Sequence, residues 1–307
     1  MSKNVIFPYV TFNKFVEEPL IKKLSLFYDK ILISESRFSI INEASQKKLK
    51  EEHRELYYEK AIWDFLLGND VVKTYPSFKD DIHTSDEEKE LKTFLMSTVR
   101  NHHESTKNDK LNKEQIAIQS LNNFYLSHDI IARIDALKFR KTDELSEYFP
   151  SLRNFNTFKS DSKKSQVIQF ILNDIPEPDL STPWEKIMEY RSDDDVKNKY
   201  LALINWVNKV SNTNLTLSEI KDEYDYLHSE YITQFKLHKM KYNNSKLEII
   251  LNSTLNFISN ISTGNYVTSI KDLFHFNLKN ANLLKEESKL PGKEIAYIVN
   301  TKRTFNK

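Results

Sequence analysis

The spacing most suggestive of chemistry in this chain is Glu90-Leu91-Lys92, an E-x-K triplet with Asp80, Asp81 and Asp86 upstream. In a metal-dependent nuclease such acids hold Mg²⁺ and the lysine stabilises the charge that develops on the phosphate. That chemistry places its acids on paired strands, whereas the residues around Glu90 have helical spacing, so the triplet also reads as a solvated helix face. His102-His103-Glu104 puts its imidazoles side by side, without the interval that aligns two of them on one helical face, and no H-E-x-x-H occurs. His228 and His238 fall about three turns apart on one helix, too far to share an ion. The helical-ribonuclease pattern, an arginine with a histidine about one turn later, fails at Arg100, whose histidines follow too closely. Asp193-Asp194-Asp195 could offer oxygen ligands, but the glycine of a calcium loop is missing and the run stands where a helix needs caps and negative charge. No metal and no cofactor is expected.

Composition narrows the classes further. Only three of the 307 residues are glycine, about 1% against the usual ~7%. Phosphate-cradling loops need several, because only a residue without Cβ allows the tight turn and close backbone approach. Gly68, Gly264 and Gly292 are isolated, so dinucleotide, Walker and kinase loops are absent, as is the G-x-S-x-G elbow. Cysteine is absent too, which removes disulfides, thiolate nucleophiles and zinc fingers and suits a reducing, cytoplasmic setting. No apolar run approaches the ~18 residues of a membrane span, so no membrane partner is expected.

Charge points to a surface. The total is only +1, yet 174–230 carries 13 acidic and 6 basic residues and 231–307 carries 5 acidic and 12 basic. Adjacent helices of opposite sign could complement each other within the fold. The alternative is a basic face for nucleic acid or an acidic protein, and the candidate contacts are Lys236, His238, Lys239, Lys241, Lys302 and Arg303.

The elements that would position these residues are mostly helices. Leu217, Ile220, Tyr224, Leu227, Tyr231, Phe235, His238 and Tyr242 recur at spacings of three and four behind a Thr216/Glu219 capping box. Asn112 with Gln115, and Thr84 with Glu87, mark two further helix starts, while Thr182-Pro183-Trp184-Glu185 has the cap, first-turn proline and acid of another. The segments over 5–10 and 30–33 read as strands flanking a helix over 20–28, a β-α-β start. Val167 to Leu172 and Ile295 to Val299 also read as strands, the latter after a Pro291-Gly292 turn. Ile130 to Phe139 fits either a helix end or a strand. The expected class is mainly α with a small β-sheet (α+β), its strands drawn from N-terminal, central and C-terminal segments. The proline-rich stretch over 174–179 divides it into an N-terminal α+β region, 1–173, and a C-terminal helical region, 174–307, unless the two form one continuous domain.

The segments Asp174-Ile175-Pro176-Glu177-Pro178-Asp179, Pro183-Trp184-Glu185-Lys186-Ile187 and Pro291-Gly292-Lys293-Glu294-Ile295-Ala296-Tyr297-Ile298 resemble an uncharacterised family of bacterial proteins of about this length. The signatures are P-W-E-x-I and P-G-[KR]-E-x-A-Y-I, within a likeness covering 165–307. The resemblance implies an accessory gene of bacterial islands and, through it, an accessory or sensor role in defence against phage. It supplies no catalytic residue. The expectation is therefore a non-catalytic cytoplasmic interaction protein with a protein partner or a second copy of itself. A metal-dependent nuclease, or nucleic-acid binding without cleavage, is the alternative.

Overall fold

The computed structural model describes residues 2–8, 17–35, 54–76, 85–105, 112–153, 161–237 and 289–305. The chain is mainly α with a small sheet and divides into two compact units, Met1–Met188 and Glu189–Lys307. The described residues contain no helix long and apolar enough to cross a membrane.

The first unit is organised by four strands: β1 (Ser2–Ile6), β2 (Lys30–Ser34), β3 (Val72–Tyr75) and β4 (Ser146–Pro150). They run parallel in the order β3-β2-β1-β4, with Asn4 opposite both Lys30 and Tyr148, and Ile31 opposite Val72. Parallel strands need crossover connections, which α1 (Glu17–Phe27) supplies between β1 and β2 and α2 (Arg54–Gly68) between β2 and β3. Covered on both faces, the central strands are continuous apolar runs, Val5-Ile6-Phe7 and Ile31-Leu32-Ile33, all nearly inaccessible to solvent. On one face Phe7 meets Trp63 of α2 at 6.2 Å between ring centroids, and Phe149 meets Tyr28 at 5.8 Å. On the other, Ile6, Leu32, Tyr75 and Tyr148 pack against Ala132 and Ala136 of α4 (Lys113–Thr142). Two alanines let that helix lie close to the sheet. Tyr75 donates from its hydroxyl to Asp135 at 2.6 Å, and Arg140 Nε donates to the Tyr148 carbonyl at 2.9 Å, tying α4 to both edge strands.

Helix α3 (Asp86–Ser105) precedes α4 and packs along it. Leu91 joins Ile130, Ile134 and Leu137 in one cluster, with Leu95 and Leu126 at its margin, so the two helices form an antiparallel hairpin. At the base of the hairpin the buried Glu88 carboxylate is shared by Lys92, Lys138 and Lys141 at 3.0, 3.8 and 3.7 Å. The expected Asn112/Gln115 capping box opens α4, its two bonds measuring 2.8 and 3.0 Å. Of the other expected cap, Thr84 lies outside the described residues, and Ser85 Oγ accepts from the Glu88 amide.

Two expected strands are helices. Val167 to Leu172 belongs to α5 (Lys163–Asp174), started by the Ser162 hydroxyl and burying Val167, Ile168, Ile171 and Leu172 on one face. Ile295 to Val299 enters a 3₁₀ turn (Lys293–Ile295) and then α9 (Ala296–Phe305), so the C-terminal segment adds no strand to the sheet. Ile295 to Val299 is buried all round and Val167 to Leu172 is only six residues long, so in neither does periodicity separate helix from strand. The sheet takes β3 and β4 instead. Ile130 to Phe139 resolves as the buried half of α4.

The second unit contains α7 (Asp194–Ser211), α8 (217–237) and α9, while α6 (Trp184–Ser192) spans the division between units. Asp193 caps α7 by accepting from the Val196 amide at 2.9 Å, and the Thr216/Glu219 box opens α8 as expected. The apolar stripe of α8 buries Ile220, Tyr224 and Tyr231, with Trp206 of α7 at 6.0 Å from Tyr224. Gly292 takes φ +73° at the turn into α9, where a Cβ would collide with the Leu227 carbonyl oxygen on α8. Tyr190 and Thr301 hydrogen-bond at 2.8 Å in the interior of this unit.

Candidate functional site

Length mismatch shapes the surface of the first unit. A five-residue strand spans about 17 Å and a thirty-residue helix about 45 Å, so α4 must overhang the sheet it covers. Its burial begins only at His128, and the half over 113–127 is exposed or half-buried. The second half of α3 runs beside it. Together they expose Phe94, Met96 and Val99 on α3 and Ile118, Leu121 and Phe124 on α4, each between 39% and 67% accessible. Between Lys113 and His128 the only charges are Lys113 and Glu114, and between Thr93 and Ser105 they are Arg100 and Glu104. The described distal halves of the two helices are therefore apolar and amide-rich, with two charges of each sign.

A second feature lies at the carboxyl ends of β1 and β4, where ionised groups are buried together. Glu18 and Lys22 of α1 pair at 2.8 Å with both side chains 1% exposed. Tyr58 donates to Glu18 at 2.9 Å, and Lys22 also donates to the Asp179 and Leu180 carbonyls at 3.2 and 3.3 Å. Burial of the phenol, then the hydrogen bond and charge of Glu18, push Tyr58 up to about 12. After β4 the Arg153 amide donates to Asp129 at 3.0 Å while its guanidinium reaches Glu17 at 3.4 Å and lies 4.7 Å over the Tyr125 ring. Arg133 pairs with Asp161 at 3.2 Å. Such networks hold their shape because breaking one member strands a buried charge.

The expected contact residues are placed in part. Lys236 is exposed at the last described turn of α8, and His238, Lys239 and Lys241 lie outside the described residues. Lys302 and Arg303 sit in the last turn of α9, with the Arg303 guanidinium 4.6 Å over the Phe235 ring, so the ends of α8 and α9 meet. Glu90 and Lys92 are helical, on α3; Lys92 pairs with Glu88, Asp86 pairs with Lys89, and Asp80 and Asp81 lie outside the described residues. The acidic run is used locally, Asp193 as a cap and Asp194 and Asp195 in pairs with Lys197 and Lys199. No three His, Asp or Glu side chains converge as metal ligands among the described residues.

Comparisons with family models, with curated proteins and with solved structures give no match. The functional reading therefore rests on the geometry. Sequence reasoning passed over the hairpin tip, although Ile118, Leu121 and Phe124 at three-residue intervals were visible; what it lacked was the length of sheet available to cover them.

Proposed function

We propose that the chain is a non-catalytic cytoplasmic interaction protein that pairs with a second copy of itself through the distal half of the α3–α4 hairpin. The observation that carries this is the set of six large apolar side chains exposed along the distal halves of two neighbouring helices; elsewhere among the described residues such exposure is scattered, as at Leu145, Leu201 and Tyr226. Neutrality of the tip selects the partner. A two-fold contact brings like surfaces together, and these helix halves carry few charges, two of each sign, which neither repel a second copy nor favour a strongly acidic or basic partner. Each side chain is about half exposed, so burying six from each copy yields roughly 10 kcal/mol before the 4–15 kcal/mol cost of association. At the low end of that cost about 6 kcal/mol remains, which describes a weak dimer that forms at tens of micromolar and above. An accessory or sensor role in phage defence is supported by the family resemblance, and a reversible docking surface is what such a role requires.

Light scattering behind size exclusion, over a range of loading concentrations, tests this. The dimer is expected to appear as concentration rises and to vanish in Met96→Glu and Leu121→Glu, with helical content unchanged. A monomer at every concentration, or a dimer indifferent to both changes, overturns the proposal.

The meeting of α8 and α9 favours nucleic-acid binding at their ends as a second reading, since it brings the chain near Lys236 to Lys302 and Arg303. It predicts affinity for RNA or DNA that falls steeply with salt and weakens in Lys302→Ala/Arg303→Ala.

A further inference from the structure

In the strand order β3-β2-β1-β4, the chain leaving β1 runs through α1 to β2, its neighbour on one side, while β4, its neighbour on the other, is followed in sequence by α5, which leads to no further strand among the described residues. Connections that part in this way open a crevice at the carboxyl ends of the strands, the place where parallel α/β sheets bind ligands. Here α1, the turn after β4 and α5 enclose a cavity of ≈ 220 Å³, apart from the hairpin tip and within the first unit. We propose that this crevice binds a small organic carboxylate, with its head between Lys23 and Arg153 and an apolar body against Leu20, Leu24 and Leu172.

Three features of the wall carry the assignment. Ser151 is 3% exposed, and its Oγ has no hydrogen-bond partner although its amide is held by the Ile6 carbonyl at 3.0 Å. A hydroxyl stripped of water and left without an acceptor costs about 1–3 kcal/mol, which an oxygen of an incoming ligand would return. Lys23 is the second. Its side chain is 14% exposed and burial pulls its ammonium below the ordinary lysine range, yet its ion pair with Glu177 is loose, 3.7 Å long and made to a carboxylate that is 50% exposed. A ligand carboxylate can take the place of Glu177 while Glu177 turns out into water. Arg153 is the third, and it is pre-set. Asp129 on its amide, Glu17 on its guanidinium and Tyr125 beneath its plane fix it beside the cavity, so little ordering remains to be done on binding.

The charge count selects a monoanion. Glu17 faces Arg153, and Glu177 faces Lys23 with Asp174 also acting on it, so a ligand that displaces Glu177 with one negative charge leaves the balance of the site unchanged. A phosphate dianion would bring a second negative charge beside Glu17, and the amides of Ser151 and Arg153, committed to Ile6 and Asp129, add no donors to offset it. The leucines limit the rest of the ligand: Leu20, Leu24 and Leu172 line the cavity but are each at most 9% exposed, so they offer a small apolar contact to a compact body.

Isovalerate and benzoate are the probes, titrated into the full chain by calorimetry and by saturation-transfer NMR, with isovaleramide and inorganic phosphate as controls. Saturable binding of a carboxylate at millimolar or lower concentration is expected, with the amide weaker by about tenfold or more. Lys23→Met should weaken binding by a similar factor and Ser151→Ala by severalfold, both with the unfolding temperature held within a few degrees of the parent. Glu177→Gln removes the competing carboxylate from an exposed position and should tighten binding, a gain that no loss of structure can mimic. Absence of saturable binding by either carboxylate overturns the proposal. So does phosphate binding as tightly as isovalerate, or affinity indifferent to Lys23→Met and Glu177→Gln.

Discussion

Replacing Lys22 by Met keeps the aliphatic stem and removes only the charge, so it isolates what the buried ammonium does for the first unit. At 2.8 Å from Glu18 and an effective dielectric near 20, the direct attraction is about 6 kcal/mol. Most of that offsets the desolvation of two groups that are each 1% exposed, so the net contribution of the pair is small. The cost of breaking it is not. In Lys22→Met the Glu18 carboxylate stays buried with Tyr58 as its remaining neutral donor, and the Asp179 and Leu180 carbonyls lose theirs. A stranded buried charge costs about 3–5 kcal/mol and each lost hydrogen bond about 1 kcal/mol, partly overlapping, which places the variant about 4 kcal/mol below the parent. The double variant Glu18→Gln/Lys22→Met, with no buried charge left, should recover about half of that. Urea unfolding followed by tryptophan fluorescence in a Trp206→Phe background measures it, because Trp63 and Trp184 then report on the first unit alone. If Lys22→Met costs less than about 1 kcal/mol, or if the double variant is as unstable as the two single losses added together, the network is not coupled and the reasoning fails.

Two further expectations concern the second unit. Gly292→Ala forces a Cβ into the Leu227 carbonyl at φ +73°, and should lower stability by about 2–4 kcal/mol as read from Trp206 fluorescence. Burial pushes the Tyr190 phenol up to about 12 and the Tyr297 phenol higher still, so the folded unit holds protons that the unfolded chain releases from about pH 10. Stability is therefore whole below pH 10 and falls as pH rises toward 12; Tyr190 accounts for about 2–3 kcal/mol of that loss, and Tyr190→Phe should flatten the decline in urea midpoint between those limits.

What the sequence reveals here depends on whether a signal is local. The capping boxes of α4 and α8 and the cap of α7 appear where their residues announce them, because each is closed within four residues. Strands β1 and β2 are legible in part for a different reason: each carries an apolar run buried on both faces, Val5-Ile6 and Ile31-Leu32-Ile33, although β1 starts three residues before the expected segment, in the polar Ser2-Lys3-Asn4. Edge strands need no such run. Val-Lys-Thr-Tyr of β3 and Ser-Glu-Tyr-Phe-Pro of β4 are half polar, and only their pairing with β2 and β1 makes them strands. Conversely Ile295 to Val299 looks like a strand because it is buried on every side, and a helix inside a core satisfies that condition equally well. Lys23, Ser151 and Arg153 were invisible as a group for the reason β4 was. They become neighbours only when the turn after β4 arrives beside α1, more than a hundred residues later in the chain.

Both surfaces assigned a role here follow from how little sheet this fold contains. Four strands of four or five residues give a platform about 17 Å deep, and helices of 20 and 30 residues cannot end where it ends. Helices that outrun their sheet must either turn polar or present apolar residues to something else, and α3 and α4 keep Met96, Ile118 and Leu121. The same short platform has one switch point, between β1 and β4, and one of the clusters of buried charge in the first unit stands there, another lying around Glu88 at the base of the hairpin. Glu17, Lys22, Asp129 and Arg153 are each paired or hydrogen-bonded where they stand, which offsets the cost of burying them and fixes their positions. Spread over α1, α4 and the turn after β4, they brace the mouth of the crevice from three directions, which is the arrangement a binding site needs and a core does not.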